Sequence, residues 1–406
     1  MKHYVHKRSL LGVLMLALGS TGAQAADSAT EALTTGKVSF NARARYEHAA
    51  QDGLRDSNAL TLRPRLGYTT AAWQGLQAMV EFENVTAIDG DAYNQAGINP
   101  GGAGRAVIAD PESSEINQAW LSYKSDKFLL KAGRQRLVYD NARFVGDVAW
   151  RQNMQTFDAV SLTTNPTDAL TVNYAWLSQI NRVFGEKSAQ GRWDSNSHLL
   201  NAAFKAAPGI TVTGYAYLLD FENSLANSSA TYGVSVVGAR TLDKDSGARL
   251  SWRVEYAHQT DYADQPLDYA ADYHVVEVGY AQKTFNFGTG WEVLGSDDGI
   301  KAFATPLATL HAFNGWADLF LGTPAAGIEN LYAWVGGTLP GAIGARLVYH
   351  DFKAERGSLD YGTEWNVQFT KAIDKNWSVL LKAADFRRDQ AFADVTKIWA
   401  QVDFAF

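Results

Sequence analysis

The stretch Val38-Ser39-Phe40-Asn41-Ala42-Arg43-Ala44-Arg45-Tyr46-Glu47 alternates an apolar with a polar side chain at every step. Side chains of an extended strand point to opposite faces in turn, so Val38, Phe40, Ala42, Ala44 and Tyr46 share one oily face and Ser39, Asn41, Arg43, Arg45 and Glu47 share one wet face. The next two segments repeat the pattern. Leu60, Leu62, Pro64, Leu66 and Tyr68 lie opposite Thr61, Arg63, Arg65 and Thr69, and Leu76, Ala78, Val80 and Phe82 lie opposite Gln77, Glu81 and Glu83. The last segment of the chain has the same form: Ile398, Ala400, Val402, Phe404 and Phe406 alternate with Lys397, Gln401 and Asp403. On a soluble surface such a stripe invites aggregation, whereas in a bilayer it is the lipid contact.

Working outward from these segments, eighteen candidate strands can be marked, from 36–47 to 396–406. Their connections alternate in length. Ala71-Ala72-Trp73-Gln74, Ser125-Asp126, Ala207-Pro208 and Leu339-Pro340 are short, while 85–113, 137–154, 179–196 and 295–327 are long. Short turns on one rim, long loops on the other and an even strand number define an outer-membrane barrel, and a soluble sandwich has no reason for that alternation. The expected fold is all-β: a transmembrane, antiparallel, up-and-down β-barrel of 18 strands occupying residues 26–406. Closure matters because lipid offers no hydrogen-bond partner to an open sheet edge. Tyr46, Tyr68, Trp176, Trp252, Tyr256, Trp291, Trp334, Trp365 and Trp377 suit interfacial girdles.

Composition agrees with this and removes other classes. The 406 residues include no Cys, 35 Gly, 12% aromatic and 19% charged positions, which excludes a disulfide scaffold, a thiolate metal site and a disordered polyampholyte. No later segment is long and apolar enough for a helical span. The start of the chain is expected to be a secretory signal peptide over 1–25: Lys2, Lys7 and Arg8, then an apolar run Leu10–Leu18, then Ala23-Gln24-Ala25 before Ala26. Its removal would leave 33 Lys and Arg against 43 Asp and Glu, a charge of −10.

A barrel of about 16 to 18 strands encloses an aqueous channel unless something fills it. The wet faces supply its wall charges: Arg43, Arg45, Arg63, Arg65, Glu81, Glu83, Lys131, Arg253, Glu255, Arg346 and Lys382. Four guanidiniums on neighbouring strands need acids or anions between them. Charge pattern alone favours a satisfied Arg/Glu ladder over a track that binds carboxylates, although Arg matches a carboxylate well. In loop 295–327, Leu307, Leu310, Phe313, Trp316 and Phe320 have near-helical spacing, leaving a rim-packed loop and a constriction inside the pore as equal alternatives. His311, Asn314 and Asp318 are its polar candidates.

Gly133-Arg134-Gln135, Asp140-Asn141-Ala142-Arg143-Phe144-Val145-Gly146, Trp150-Arg151-Gln152, Thr156-Phe157-Asp158 and His311-Ala312-Phe313-Asn314-Gly315-Trp316-Ala317-Asp318 resemble the alginate export family of bacterial outer-membrane barrels. The resemblance implies a monomeric 18-stranded barrel that passes an anionic polyuronate through an Arg-rich lumen, with loops and a periplasmic turn restricting access, and it leaves room for periplasmic export partners. It suggests Arg134, Arg136, Arg143, Arg151 and Asp158 as binding positions. By phase, Arg134 and Arg136 fall on the side of Phe128 and Leu130, so they should lie beyond the lipid zone or follow a bulge.

The leading expectation is a porin-like channel for an anionic saccharide such as alginate or oligouronate. A small-solute uptake porin for organic acids or sugars and a barrel-anchored adhesive protein are the alternatives. No G-x-S-x-G elbow, H-E-x-x-H pair or P-loop is present, and His258, His274 and His350 are better read as structural wall residues than as catalytic ones. No cofactor is expected. Asp89-Gly90-Asp91 and Asp297-Asp298-Gly299 could hold Ca2+, but they lack the spaced carboxylate set and suit solvated turns better. Outer-membrane lipid is the expected surround, and no basic aromatic motif points to nucleic acid.

Overall fold

The computed structural model describes residues 26–406. The signal-peptide expectation for 1–25 lies outside the described residues. Ser28 caps the six-residue helix Ala29–Thr34 by accepting from the Glu31 N–H at 3.1 Å. That helix docks on the first short turn, where Ala71 N donates to Ala32 O at 3.0 Å.

Eighteen antiparallel strands then run up and down in chain order. They are β1 Lys37–Gln51, β2 Ser57–Thr69, β3 Leu76–Ala87, β4 Ser113–Lys124, β5 Phe128–Gln135, β6 Thr156–Thr167, β7 Leu170–Asn181, β8 Arg192–Ala207 and β9 Ile210–Leu219, followed by β10 Ser229–Asp243, β11 Ala248–Thr260, β12 Ala270–Ala281, β13 Phe285–Leu294, β14 Ile328–Leu339, β15 Ile343–Lys353, β16 Asp360–Ala372, β17 Trp377–Arg388 and β18 Val395–Ala405. The sheet closes where β18 pairs with β1, Arg43 opposite Asp403 and Arg45 opposite Gln401. No edge remains in it to face lipid.

The expected loop 179–196 shrinks to 182–191, because β7 and β8 continue further above the membrane than their apolar faces do. Loop 295–327 contains one short 3-10 turn, Leu310–Ala312, in place of the helix its spacing suggested. Asn314, Gly315 and Asp318 adopt positive φ (53°, 85° and 61°), which interrupts any helical run. By the outer-membrane rule the short-turn rim is periplasmic and the long-loop rim extracellular.

Alternation assigns the faces. Leu62, Leu66, Phe82, Leu121, Val254, Leu331, Leu381 and Ile398 point outward and stay exposed, as lipid contacts must. Trp334 corrects the girdle expectation: it alternates with outward Val335 and Ala333 and lies inside, over Gly288, where a Cβ would come within 2.2 Å of its ring. Val254 sits at the middle of β11, so Val254→Arg should destabilise the folded barrel by about 2–4 kcal/mol. The same change at His258, nearer the interface, should cost about 0–1 kcal/mol. Urea titration in lipid vesicles measures both.

Candidate functional site

Two extracellular loops fold into the cylinder. Loop 136–155 and loop 295–327 meet there: Val145 and Leu307 form a parallel bridge, Gly146 N donates to Leu307 O at 2.8 Å, and Thr309 N donates to Ala142 O at 3.0 Å. Val145, Phe303 and Leu307 are fully buried against inward wall residues such as Leu177, Leu199 and Tyr273. The two alternatives for 295–327 thus resolve in favour of a constriction inside the pore. Together the loops make one plug.

The wall arginines hold that plug by its backbone. Arg43 Nη1 donates to the carbonyls of Ala149 and Trp150 at 3.1 Å, Arg45 Nη2 to Trp150 O at 2.6 Å, and Arg65 Nη2 to Gln152 O at 3.0 Å. Each also has a carboxylate: Arg43 with Asp403 at 2.8 Å, Arg45 with Asp110 at 3.3 Å, and Arg65 with Glu83. For these three the ladder reading holds. Glu81 has no cation partner and accepts instead from the amides of Asn117 and Gln118. On the opposite wall Arg143 reaches Glu292 at 2.7 Å and Thr305 at 2.8 Å, and Arg253 pairs with Glu255, which also accepts from Tyr215 Oη at 2.7 Å. Lys131 faces inward over the Trp120 ring at 4.3 Å.

Asp318 is the hub of the plug. Its Oδ2 accepts from Arg151 at 2.5 Å and Lys397 at 3.0 Å, and its Oδ1 meets His311 Nδ1 at 2.6 Å. Arg151 also grips Glu47 at 3.0 Å. Lys382 Nζ lies 2.7 Å from His311 Nε2. An ionised carboxylate can only accept, so Nδ1 carries the proton given to Asp318 and Nε2 accepts from Lys382. Burial, reinforced by Lys382, holds the imidazole well below its usual range and keeps it neutral. Burial alone would raise the Asp318 carboxyl, but His311, Lys397 and Arg151 hold it well below the ordinary carboxylate range. Three indoles surround Lys382, with Trp316, Trp150 and Trp399 centred 3.7, 4.2 and 5.6 Å from Nζ, and Trp150 stacks on His311 at 4.3 Å. Glu364 caps the same loop, accepting from Ala317 N at 3.0 Å and from Trp316 N. Asn314 Oδ1 accepts from Asn330 Nδ2 at 3.1 Å.

Beneath the plug the lumen reaches solvent: Val237 faces inward opposite Arg253 and is 46% exposed. At the level of the plug's wall contacts, Arg63 stands opposite Arg43 and two positions from Arg65, bonded only to the Asn41 side chain. Among the described residues its Nε and Nη1 have no partner, although the residue is 1% exposed. Arg346 Nε, on β15, is buried and unpartnered as well.

Two suggested pore positions, Arg134 and Asp158, lie elsewhere, and Arg136 turns to the plug loop. Arg134 alternates with inward Gln135 and points outward, where it pairs with Asp158 at 2.8 Å. Asp158 in turn stands between inward Phe157 and Ala159. Arg136 follows β5 and pairs with Asp147, on which its Nε lies at 2.8 Å. Gly133 adopts φ 114° without changing the alternation, because Lys131 and Gln135 both remain inward. His258 and His274 face outward, while His350 faces inward and bonds Asn330 at 3.0 Å. The loop acids have other duties: Asp89 accepts from Asp91 N at 3.1 Å, and Asp298 pairs with Arg356. Among the described residues no group of three or more His, Asp or Glu is arranged to hold a metal ion.

The fold matches solved outer-membrane proteins closely. OccK9 (OpdG) of Pseudomonas aeruginosa superposes with a TM-score of 0.71 at 15% identity, covering 92% of this chain and 100% of that one. OccAB4 of Acinetobacter baumannii gives 0.70 at 16% identity over 91% and 97%. OpdK of Pseudomonas aeruginosa, solved with vanillate, gives 0.69 at 13% identity over 92% and 99%. No curated protein sequence matches the chain. The family described as alginate export matches residues 35–293, well over half of the chain, and this outer-membrane, porin-like channel protein belongs to that family.

Proposed function

We propose that the protein lets carboxylate-bearing saccharides permeate the outer membrane, and that Arg63, on the wall beside the plug, is a contact for their carboxylates. The supporting observation is the unpaired guanidinium. A buried charge without a counter-ion costs several kcal/mol, and here it stands among arginines whose own carboxylates are already engaged. A passing uronate offers the missing partner with matching geometry. Each such contact must stay weak enough for the solute to leave.

The small-acid uptake reading has its own support. The two loops fill much of the cross-section, which suits a short solute better than a polymer. Chain length separates the two readings.

The test is ion selectivity and block in a planar bilayer. Wild-type protein should prefer anions and be blocked by oligouronate, and Arg63→Gln should weaken that block by about tenfold, the worth of one charge-assisted contact of 1.4 kcal/mol. Arg134→Ala, on the outer surface, should leave block intact. A cation preference, or block that Arg63→Gln does not alter, sinks the proposal. Block by monouronate as strong as by oligouronate selects the small-acid reading.

A further inference from the structure

A second pocket lies on the extracellular side of the plug and plays no part in the reading above. It measures about 110 Å3 and lies between the top of β1, loop 88–112 and loop 295–327. Its sides are apolar: Ala49, Val107, Ala109, Leu319, Leu321 and Val395. Its floor is charged: Arg151, Asp318 and Lys397. Val107 and Leu321, 45% and 40% exposed, border the mouth, so the pocket opens to the outside.

The chemistry of floor and walls points to one class of occupant. The floor belongs to a hydrogen-bonded network in which Arg45, Arg151, Lys382 and Lys397 face Glu47, Asp110 and Asp318, with His311 neutral. Lys397 has three ammonium hydrogens, and its one recorded partner is Asp318. Gln51 is the one uncharged polar side chain of the lining, and the walls are otherwise apolar. They would reward an alkyl group by about 25 cal/mol per Å2 of apolar surface removed from water. A cavity of 150 Å3 takes up benzene, so a pocket of about 110 Å3 with an open mouth suits a body of three or four carbons.

We propose that this pocket is a binding site for a short-chain aliphatic monocarboxylate, its carboxylate on Lys397 and Arg151 and its alkyl chain against Val107, Leu319 and Val395. The ligand would then share both cations with Asp318. The site does not depend on which solute crosses the lumen.

Butyrate, 1-butanol and glucuronate are the probes, titrated calorimetrically against the full barrel in detergent. Butyrate should bind saturably, and 1-butanol and glucuronate at least about tenfold more weakly, because one lacks the charge and the other the apolar body. Val107→Trp, at an exposed loop position, should fill the pocket and remove butyrate binding while the melting temperature stays unchanged. Lys397→Gln should weaken it by a similar factor. Absence of butyrate binding, equal binding of 1-butanol or glucuronate, or retention of binding in Val107→Trp each overturns the proposal. Since Arg63 does not line this pocket, loss of oligouronate block in Arg63→Gln with butyrate binding kept would support both sites, and block and butyrate binding both kept would discard the lumen reading alone.

Discussion

Asp318→Asn should raise single-channel conductance severalfold and lower the stability of the folded barrel by about 3–5 kcal/mol, the cost of breaking a buried ionic cluster by removing one member. The carboxylate ties Arg151 of one loop, His311 of its own loop and Lys397 of β18 at a single point. The amide keeps the shape and loses the charge, leaving Arg151 and Lys397 to repel each other across the space where an anion had been. Loop 295–327 should then swing from the wall. The pH response follows from the depressed carboxyl of Asp318. A group whose folded value lies below its unfolded value of about 4 stabilises fully above that unfolded value, and the contribution is lost as pH falls through the folded one. The part of the wild-type current that Asp318 controls should therefore stay flat from neutral pH to about 4 and rise only in stronger acid, while Asp318→Asn should conduct at the high level throughout. Bilayer recordings across that range check both, and an Asp318→Asn current no higher than wild type at neutral pH would exclude Asp318 as the latch.

The membrane half of this molecule was legible because its code is local. Alternation in 38–47 and 396–406 placed Arg43, Arg45, Glu47, Lys397 and Gln401 toward the lumen and Ile398 and Val402 toward lipid, since the pleat repeats every two residues whatever the surroundings, while the buried, inward Trp399 went unassigned. The same rule put Arg134 on the outer phase, against its role by resemblance, and there the phase prevailed. Trp334 misled for a related reason: an aromatic near a strand end looks like a girdle residue until its parity is counted against Val335. The plug was harder to see. Its geometry rests on contacts between residues more than a hundred positions apart, such as Arg45 with Trp150 O and Arg151 with Asp318, and no periodicity encodes them. Phe144 and Val145 in an extracellular loop were the available hint that 136–155 turns inward, because an apolar pair there needs something to bury it. Glu292, Glu364 and Lys397 were recoverable as wet-face residues of β13, β16 and β18. Their task of gripping loop backbone and loop charge was not.

Stapling the two loops to each other should cancel the effect of Asp318→Asn. Loop 136–155 is the anchored partner: wall arginines on β1 and β2 hold its carbonyls at 149, 150 and 152, and Arg143 and Arg151 reach Glu292 and Glu47 from within it. Loop 295–327 meets the wall mainly through Asp318, Glu364, Asn314 and His311, so losing the first leaves it the weaker attachment. Val145 and Leu307 are paired across the bridge that joins the loops. Neighbouring strands lie about 4.8 Å apart, within the Cα separation of about 4.4–6.8 Å that a disulfide spans. The chain has no Cys, so Val145→Cys with Leu307→Cys can form only the intended bond. Under oxidising conditions the triple variant carrying Asp318→Asn should return to wild-type conductance, and reductant should restore the high current. If the oxidised variant stays at the high level, the loops leave the wall as one body, and the grip of Arg43, Arg45 and Arg65 on loop 136–155 is weaker than its hydrogen bonds imply.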